Sequence, residues 1–275
     1  MPEIPTNNPD ISKLEGIHLW HAGLSTCSQR VRIALAELGL QFDSHPVNLH
    51  AGENASDWYQ AIHPDGVVPA LAHDGRLVIE SVDIIDYLDQ ISGNRQLTPV
   101  LPADRKAMYS LMERAAQAQK HLKMLTFEFL FRAAPAVDEE TANAYQRTQR
   151  NESLKAFHRD FRAGFERNRV RQSAVASDRD FQFLEQILDD GRKFLAGSTF
   201  SLADIAWIPN FHRFDLIGWP FERYTNLQRW FRRVSARPSY ETALEKWEPQ
   251  ELLERVAPRL AARRASGDGV ECYMN

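Results

Sequence analysis

The hydropathy pattern of this 275-residue chain changes character once, between residues 93 and 104. Before that point short apolar runs alternate with turn residues; beyond it apolar residues recur at helical spacing, with no strand alternation to compete. Gly16 to Ala22 is short, apolar and aromatic and ends at Gly23, so it reads as a buried strand closed by a turn. From Cys27 to Leu38 the positions Val31, Leu35 and Leu38 fall at i, i+4 and i+7, and Gly39 follows as a helix stop. Gln41 to Leu49 predicts a second strand. The polar run His50 to Ser56 predicts a loop leading into a short helix around Trp58, which Pro64 and Gly66 end. Val67 to Ala72 and Leu77 to Ile79 flank a turn-rich segment and predict an antiparallel hairpin. Ser81 is then placed near the N-cap of a helix with Val82, Ile85 and Leu88 on one face. The order is βαβ followed by ββα.

Gly93 to Asp104 interrupts the periodicity and reads as a linker. Helices are then predicted over Ala103 to Phe131, around Phe181, Leu184 and Leu188, and around Leu227, Trp230 and Val234. Ser201 and Asp204 have capping-box spacing for a further core helix. Arg132 to Asp180 is polar and arginine-rich, with Phe157, Phe161 and Phe165 four residues apart, and reads as an extended helix or an insertion with a solvated face. The expected division is a domain over 16–92, an all-helical domain over 104–250 with an insertion around 132–180, and terminal extensions 1–15 and 251–275.

A net charge of -4 gives no general reason to approach nucleic acid. No run of about eighteen apolar residues predicts a membrane span, and the opening residues, with Pro2, Pro5 and Pro9, have no secretory pattern. Cys27 and Cys272 supply neither a disulfide framework nor a zinc spacing, which fits a reducing, cytoplasmic setting.

The run Ser25-Thr26-Cys27-Ser28-Gln29-Arg30-Val31-Arg32-Ile33-Ala34-Leu35 resembles the signature of zeta-class glutathione transferases, the maleylacetoacetate isomerases, departing from it at Thr26. Its Ser-x-Cys core is also similar to the tetrachlorohydroquinone reductive dehalogenases. Ser56-Asp57-Trp58, Val68-Pro69-Ala70-Leu71, His73-Asp74-Gly75 and Glu80-Ser81 resemble the bacterial lignin β-aryl etherases, with His63-Pro64 where the superfamily usually has Asn-Pro. Gly197 to Asp204 and Ala236-Arg237-Pro238 resemble segments of the superfamily's helical half.

The resemblance implies an α+β fold, a thioredoxin-like N-terminal domain followed by an all-α domain, and glutathione as cofactor. It implies that Val68 offers its backbone to the tripeptide like a neighbouring strand, across a cis bond to Pro69. Glu80 and Ser81 would hold the γ-glutamyl group, and His50 is a candidate donor to the glycyl carboxylate, with a solvated loop histidine as the alternative. Ser25 would donate to the glutathione thiolate, with Cys27 close by; a plain N-cap for Ser25 and a structural thiol for Cys27 stay open. Serines at 25 and 28 exclude a disulfide between these positions.

The favoured activity is attack by glutathione thiolate on a small hydrophobic aromatic substrate, first a β-aryl ether, alternatively a chlorinated hydroquinone or maleylacetoacetate. A non-catalytic adaptor is the contrasting class. A dimer is implied by the resemblance. Leu24, Met108, Met112, Phe211 and Phe214 are candidates for the acceptor pocket.

Overall fold

The computed structural model describes residues 3–4, 8, 10–134 and 136–274, of which residues 3–4 by backbone alone. Pro2, Pro5 and Pro9 lie outside the described residues. The chain forms two compact units, one from residues up to 93 with 136–164, the other from 94–134 with 165–274.

In the first unit β1 (Glu3–Ile4), β2 (Ile17–His21), β3 (Asp43–Pro46), β4 (Ala70–His73) and β5 (Arg76–Ile79) form one sheet of order β1-β5-β4-β2-β3. β2 and β3 are parallel, and the other pairs are antiparallel. The expected extension at the start of the chain therefore supplies an edge strand. β4 begins at Ala70 rather than Val67 because Pro69 has no N–H for the ladder. Asp74 and Gly75, at φ 48° and 75°, form the two-residue hairpin turn. A Cβ on Gly75 would also lie 2.8 Å from the Ser12 carbonyl oxygen, so both conformation and space favour glycine there.

α1 (Thr26–Leu38) starts at Ser25, whose hydroxyl accepts from the Ser28 amide, and ends at left-handed Gly39. α2 (Asp57–Gln60) is a single turn capped by Ser56. α3 (Ser81–Ile91) has Glu80, at φ 65° and ψ 113°, as its N-cap, and Ser81, expected near the cap, is the first helical residue. α5 (Glu139–Thr148) and α6 (Glu152–Ala163) also belong to this unit.

The second unit is helical: α4 (Pro102–Leu125), α7 (Arg167–Ile187), α8 (Leu202–Leu216), α9 (Thr225–Ser235), α10 (Pro238–Ala243) and α11 (Gln250–Ala265). The stretch 132–180, expected as one insertion of the helical domain, thus divides: Gly164, at φ 96°, ends α6, and a separate long helix starts at Arg167. Residues 202–214 of α8 are all buried, and α4 and α7 pack around the centre of this unit. Asp204, fully buried, accepts from the Ser201 amide (2.9 Å) and hydroxyl (3.0 Å), the Leu195 amide (2.9 Å) and the Trp230 indole (2.8 Å). The carboxylate predicted to cap one helix therefore also ties α9 and the 195 turn to it. α4 passes into a π-helical turn, Thr126–Leu130. The C-terminal segment docks there: Arg263 on α11 donates to the Glu128 carbonyl (2.9 Å) and to Asp268 (2.8 Å).

Candidate active site

Strand register brings the sequence motifs to one end of the sheet. Trp20 pairs with Ala70, and Ala70 with Ile79, so the loop after β2, the Val68–Pro69 bond before β4 and the Glu80–Ser81 corner after β5 share that end. β3 also leaves there, because His21 pairs with Pro46. The Val68–Pro69 bond is cis. Ser25, half-buried, holds the Ser28 amide at 3.2 Å; its oxygen is the acceptor, which leaves its O–H to donate elsewhere. Cys27 is a half-buried free thiol one turn position further on. His50 is exposed on the turn after β3, and its side chain makes no hydrogen bond or ion pair among the described residues.

Two arginines of α1, both within the resembling motif, organise this end. Arg30, fully buried, donates to the Ser81 hydroxyl at 3.1 Å and so joins α1 to the start of α3. Burial pulls its guanidinium below the ordinary value, against the opposing effect of Cys27. Arg32 donates to His21 Nδ1 (3.1 Å) and to the carbonyls of Ala22 (3.2 Å) and Gly23 (3.0 Å), fixing the loop that leads to Ser25. Because arginine only donates, His21 Nδ1 is the acceptor and Nε2–H donates to the Ser44 hydroxyl at 2.8 Å. Burial, then Arg32 and His45, lower His21 to about 4, so it is neutral at pH 7. Two arginines two residues apart inside an apolar helix were the signal for buried guanidinium groups.

At the Glu80–Ser81 corner, partial burial and then the charges of Asp83 and Asp65 push the Glu80 carboxyl above its ordinary range, although the residue as a whole is solvent-exposed. Carboxylates that oppose one another's ionisation suit an ammonium ligand, which would relieve all of them. The N-terminus of α3 suits a carboxylate. The loop before Val68 is held from within: Asn54 Nδ2 donates to the Gly66 carbonyl and the Tyr59 hydroxyl to the Val67 carbonyl, both at 2.7 Å. In the sequence Asn54 read as loop and Tyr59 as part of the short helix around Trp58, with no sign of either hydrogen bond.

Met108, Met112, Phe211 and Phe214, candidates for an acceptor wall, are instead core residues, none more than 4% exposed. Phe211 stacks on Phe221 at 3.6 Å and Phe214 meets Phe181 edge-on at 4.9 Å, because the buried stretch 202–214 of α8 leaves them no solvent-facing side. Two open cavities of the helical unit, of 450 and 380 Å³, are lined by none of these residues.

Residues 24–91 match the glutathione S-transferase N-terminal domain, and residues 147–233 match the glutathione S-transferase C-terminal domain. The chain belongs to the glutathione S-transferase family. It is an enzyme of that family and uses glutathione. Protein LigF of Sphingobium sp. strain SYK-6 is 28% identical to this transferase, over 89% of the chain and 99% of its own length. The crystal structure of beta-etherase LigF superposes with a TM-score of 0.74, covering 84% of the chain and 99% of LigF at 26% identity. A tetrachloro-p-hydroquinone reductive dehalogenase of Sphingobium chlorophenolicum is 26% identical over 82% of the chain and 95% of its own length.

Proposed function

We propose that this transferase cleaves β-aryl ethers of small aromatic ketones with glutathione. The observation that carries the reading is the likeness to beta-etherase LigF, which runs through both halves of the chain at a TM-score of 0.74. Bound glutathione supplies a thiolate that forms a C–S bond at the carbon α to the ketone while the C–O bond to the phenolate breaks; the phenolate takes up the proton. Phenolate is a feasible leaving group, since its conjugate acid has a pKa near about 10.

The chain's own residues bind and activate. Val68 offers strand-like backbone hydrogen bonds beside Pro69, and Glu80 and Ser81 hold the γ-glutamyl group, with Arg30 fixing the serine hydroxyl. His50 is the candidate for the glycyl carboxylate. Ser25 O–H donates to the thiolate, and the N-terminus of α1 adds a favourable partial charge. Lowering a thiol pKa by two units takes roughly 2.7 kcal/mol of preferential stabilisation, within reach of these two effects together. Cys27 stays outside the reaction. The division into a glutathione-binding domain and a helical acceptor domain, a dimeric state and a cytoplasmic location belong to the same reading. Two free cysteines support the last of these.

The test is product analysis with glutathione and a β-aryl ether ketone, beside parallel reactions with a chlorinated hydroquinone and maleylacetone. A glutathione thioether and one equivalent of phenol are expected. Turnover of only one of the other two substrates would replace this reading with dehalogenation or isomerisation.

A further inference from the structure

The helical pair α5–α6 lies outside the βαβ-ββα pattern yet packs on the segment that leads into Val68. Tyr145 on α5 stands against Gly52, where an added Cβ would lie 3.4 Å from its ring. Gln149, 2% exposed, stands against Gly66, where an added Cβ would lie 2.7 Å from the amide nitrogen. The two contacts clamp residues 52–66 at both ends. Between them Gln60, 3% exposed, donates to the Thr148 carbonyl and accepts from the Arg150 amide, each at 2.9 Å. The turn between α5 and α6 is thereby tied to α2 by a buried side-chain amide.

The same turn reaches the acidic corner. Asn151 caps α6 by accepting from the Leu154 amide (3.1 Å) and also donates to Asp65 (3.2 Å). Asp65 is one of the two carboxylates whose charge acts on Glu80. Gln149 Oε1 accepts from the Asn151 amide at 2.9 Å, so the residue behind Gly66 and the residue holding Asp65 form one unit.

We infer that the 148–151 turn is a positioning element of the glutathione site, with Gln149 setting the Gly66–Val68 backbone and Asn151 setting Asp65. This rests on the glutathione site described above. A segment used only to stabilise the fold would need no contact at both Gly66 and Asp65. A positioning segment fixes the strand-like backbone and the ammonium-facing carboxylate relative to each other before the ligand arrives, which lowers the ordering cost of binding.

The test is calorimetric titration with glutathione at 15 °C, with the ligand-free melting temperature measured in parallel. Gln149→Leu keeps the side-chain volume and removes both amide functions; a three- to tenfold rise in the glutathione Kd is expected while the protein stays folded. Asn151→Ser keeps a capping hydroxyl but falls short of Asp65, so it leaves the melting temperature nearly unchanged and raises Kd about two- to threefold. In Asp65→Asn it adds nothing further, because the two residues act through one contact. An unchanged Kd in Gln149→Leu alongside a lowered melting temperature overturns the inference, as does full additivity of Asn151→Ser and Asp65→Asn. Wild-type protein that binds no glutathione would remove the underlying site reading as well, before any variant is compared.

Discussion

In the proposed reaction Ser25 would have two separable duties at one oxygen. Its lone pairs accept from the Ser28 amide and cap α1, while its proton remains for a thiolate. Ser25→Asp keeps the cap but replaces the donor with an anion, so turnover should fall about as far as in Ser25→Ala, by roughly 10- to 100-fold for a lost thiolate hydrogen bond, while the melting temperature holds. Cys27→Ser should retain most activity. Mass spectrometry during turnover checks this: a Cys27–glutathione adduct, together with lost product in Cys27→Ser, would shift the assignment toward dehalogenase chemistry. His63 gives a pH signature. It is 1% exposed, and burial lowers its folded pKa from 6.5 to about 4. Above pH 6.5 both states are neutral and the full stability is present; as pH falls toward 4 the unfolded chain takes up protons first and stability is lost, at up to about 1.4 kcal/mol per pH unit. Denaturant titrations should show a shallower slope in that window for His63→Asn, the remainder belonging to His21, lowered to the same value, and to His45 and His121, which burial also lowers.

Among the elements, the cap of α8 was visible in the sequence because Ser201 and Asp204 sit three residues apart. The Leu195 and Trp230 bonds to the same carboxylate were not, since no local pattern links 195, 204 and 230. Asp204→Ala strands those donors inside the core. It should lower stability by about 3–5 kcal/mol rather than the ~1 kcal/mol of an exposed cap, seen as a lower urea midpoint with an unchanged m-value. The hairpin around Asp74-Gly75 and the stop at Gly39 were legible for the opposite reason: each is a short-range demand on backbone conformation that one or two residues satisfy. Arg30 and Arg32 were visible in the sequence as members of the motif but not as buried groups, because no local pattern links them to their partners Ser81, His21 and two loop carbonyls.

For the whole molecule, glutathione binds the folded chain and not the unfolded one, so ligand at about a hundred times its Kd should add about 2.7 kcal/mol of stability. Thermal melting should therefore shift upward by several degrees, and Ser81→Ala, which also leaves Arg30 without that hydroxyl, should shrink the shift. The two halves were readable from the change in periodicity after residue 93, but the return of 136–164 to the first unit was not, since its ties are single amides such as Gln60 and Gln149 rather than an apolar stripe. That return governs how the protein is made. A ribosome adding about 5–20 residues per second releases the last strand of the sheet and then spends roughly 4–14 s on residues 94–164 before the missing pair of helices emerges. During synthesis the sheet must wait with residues 52–66 uncovered, and a shortened gene product ending near residue 93 would keep that nascent condition permanently.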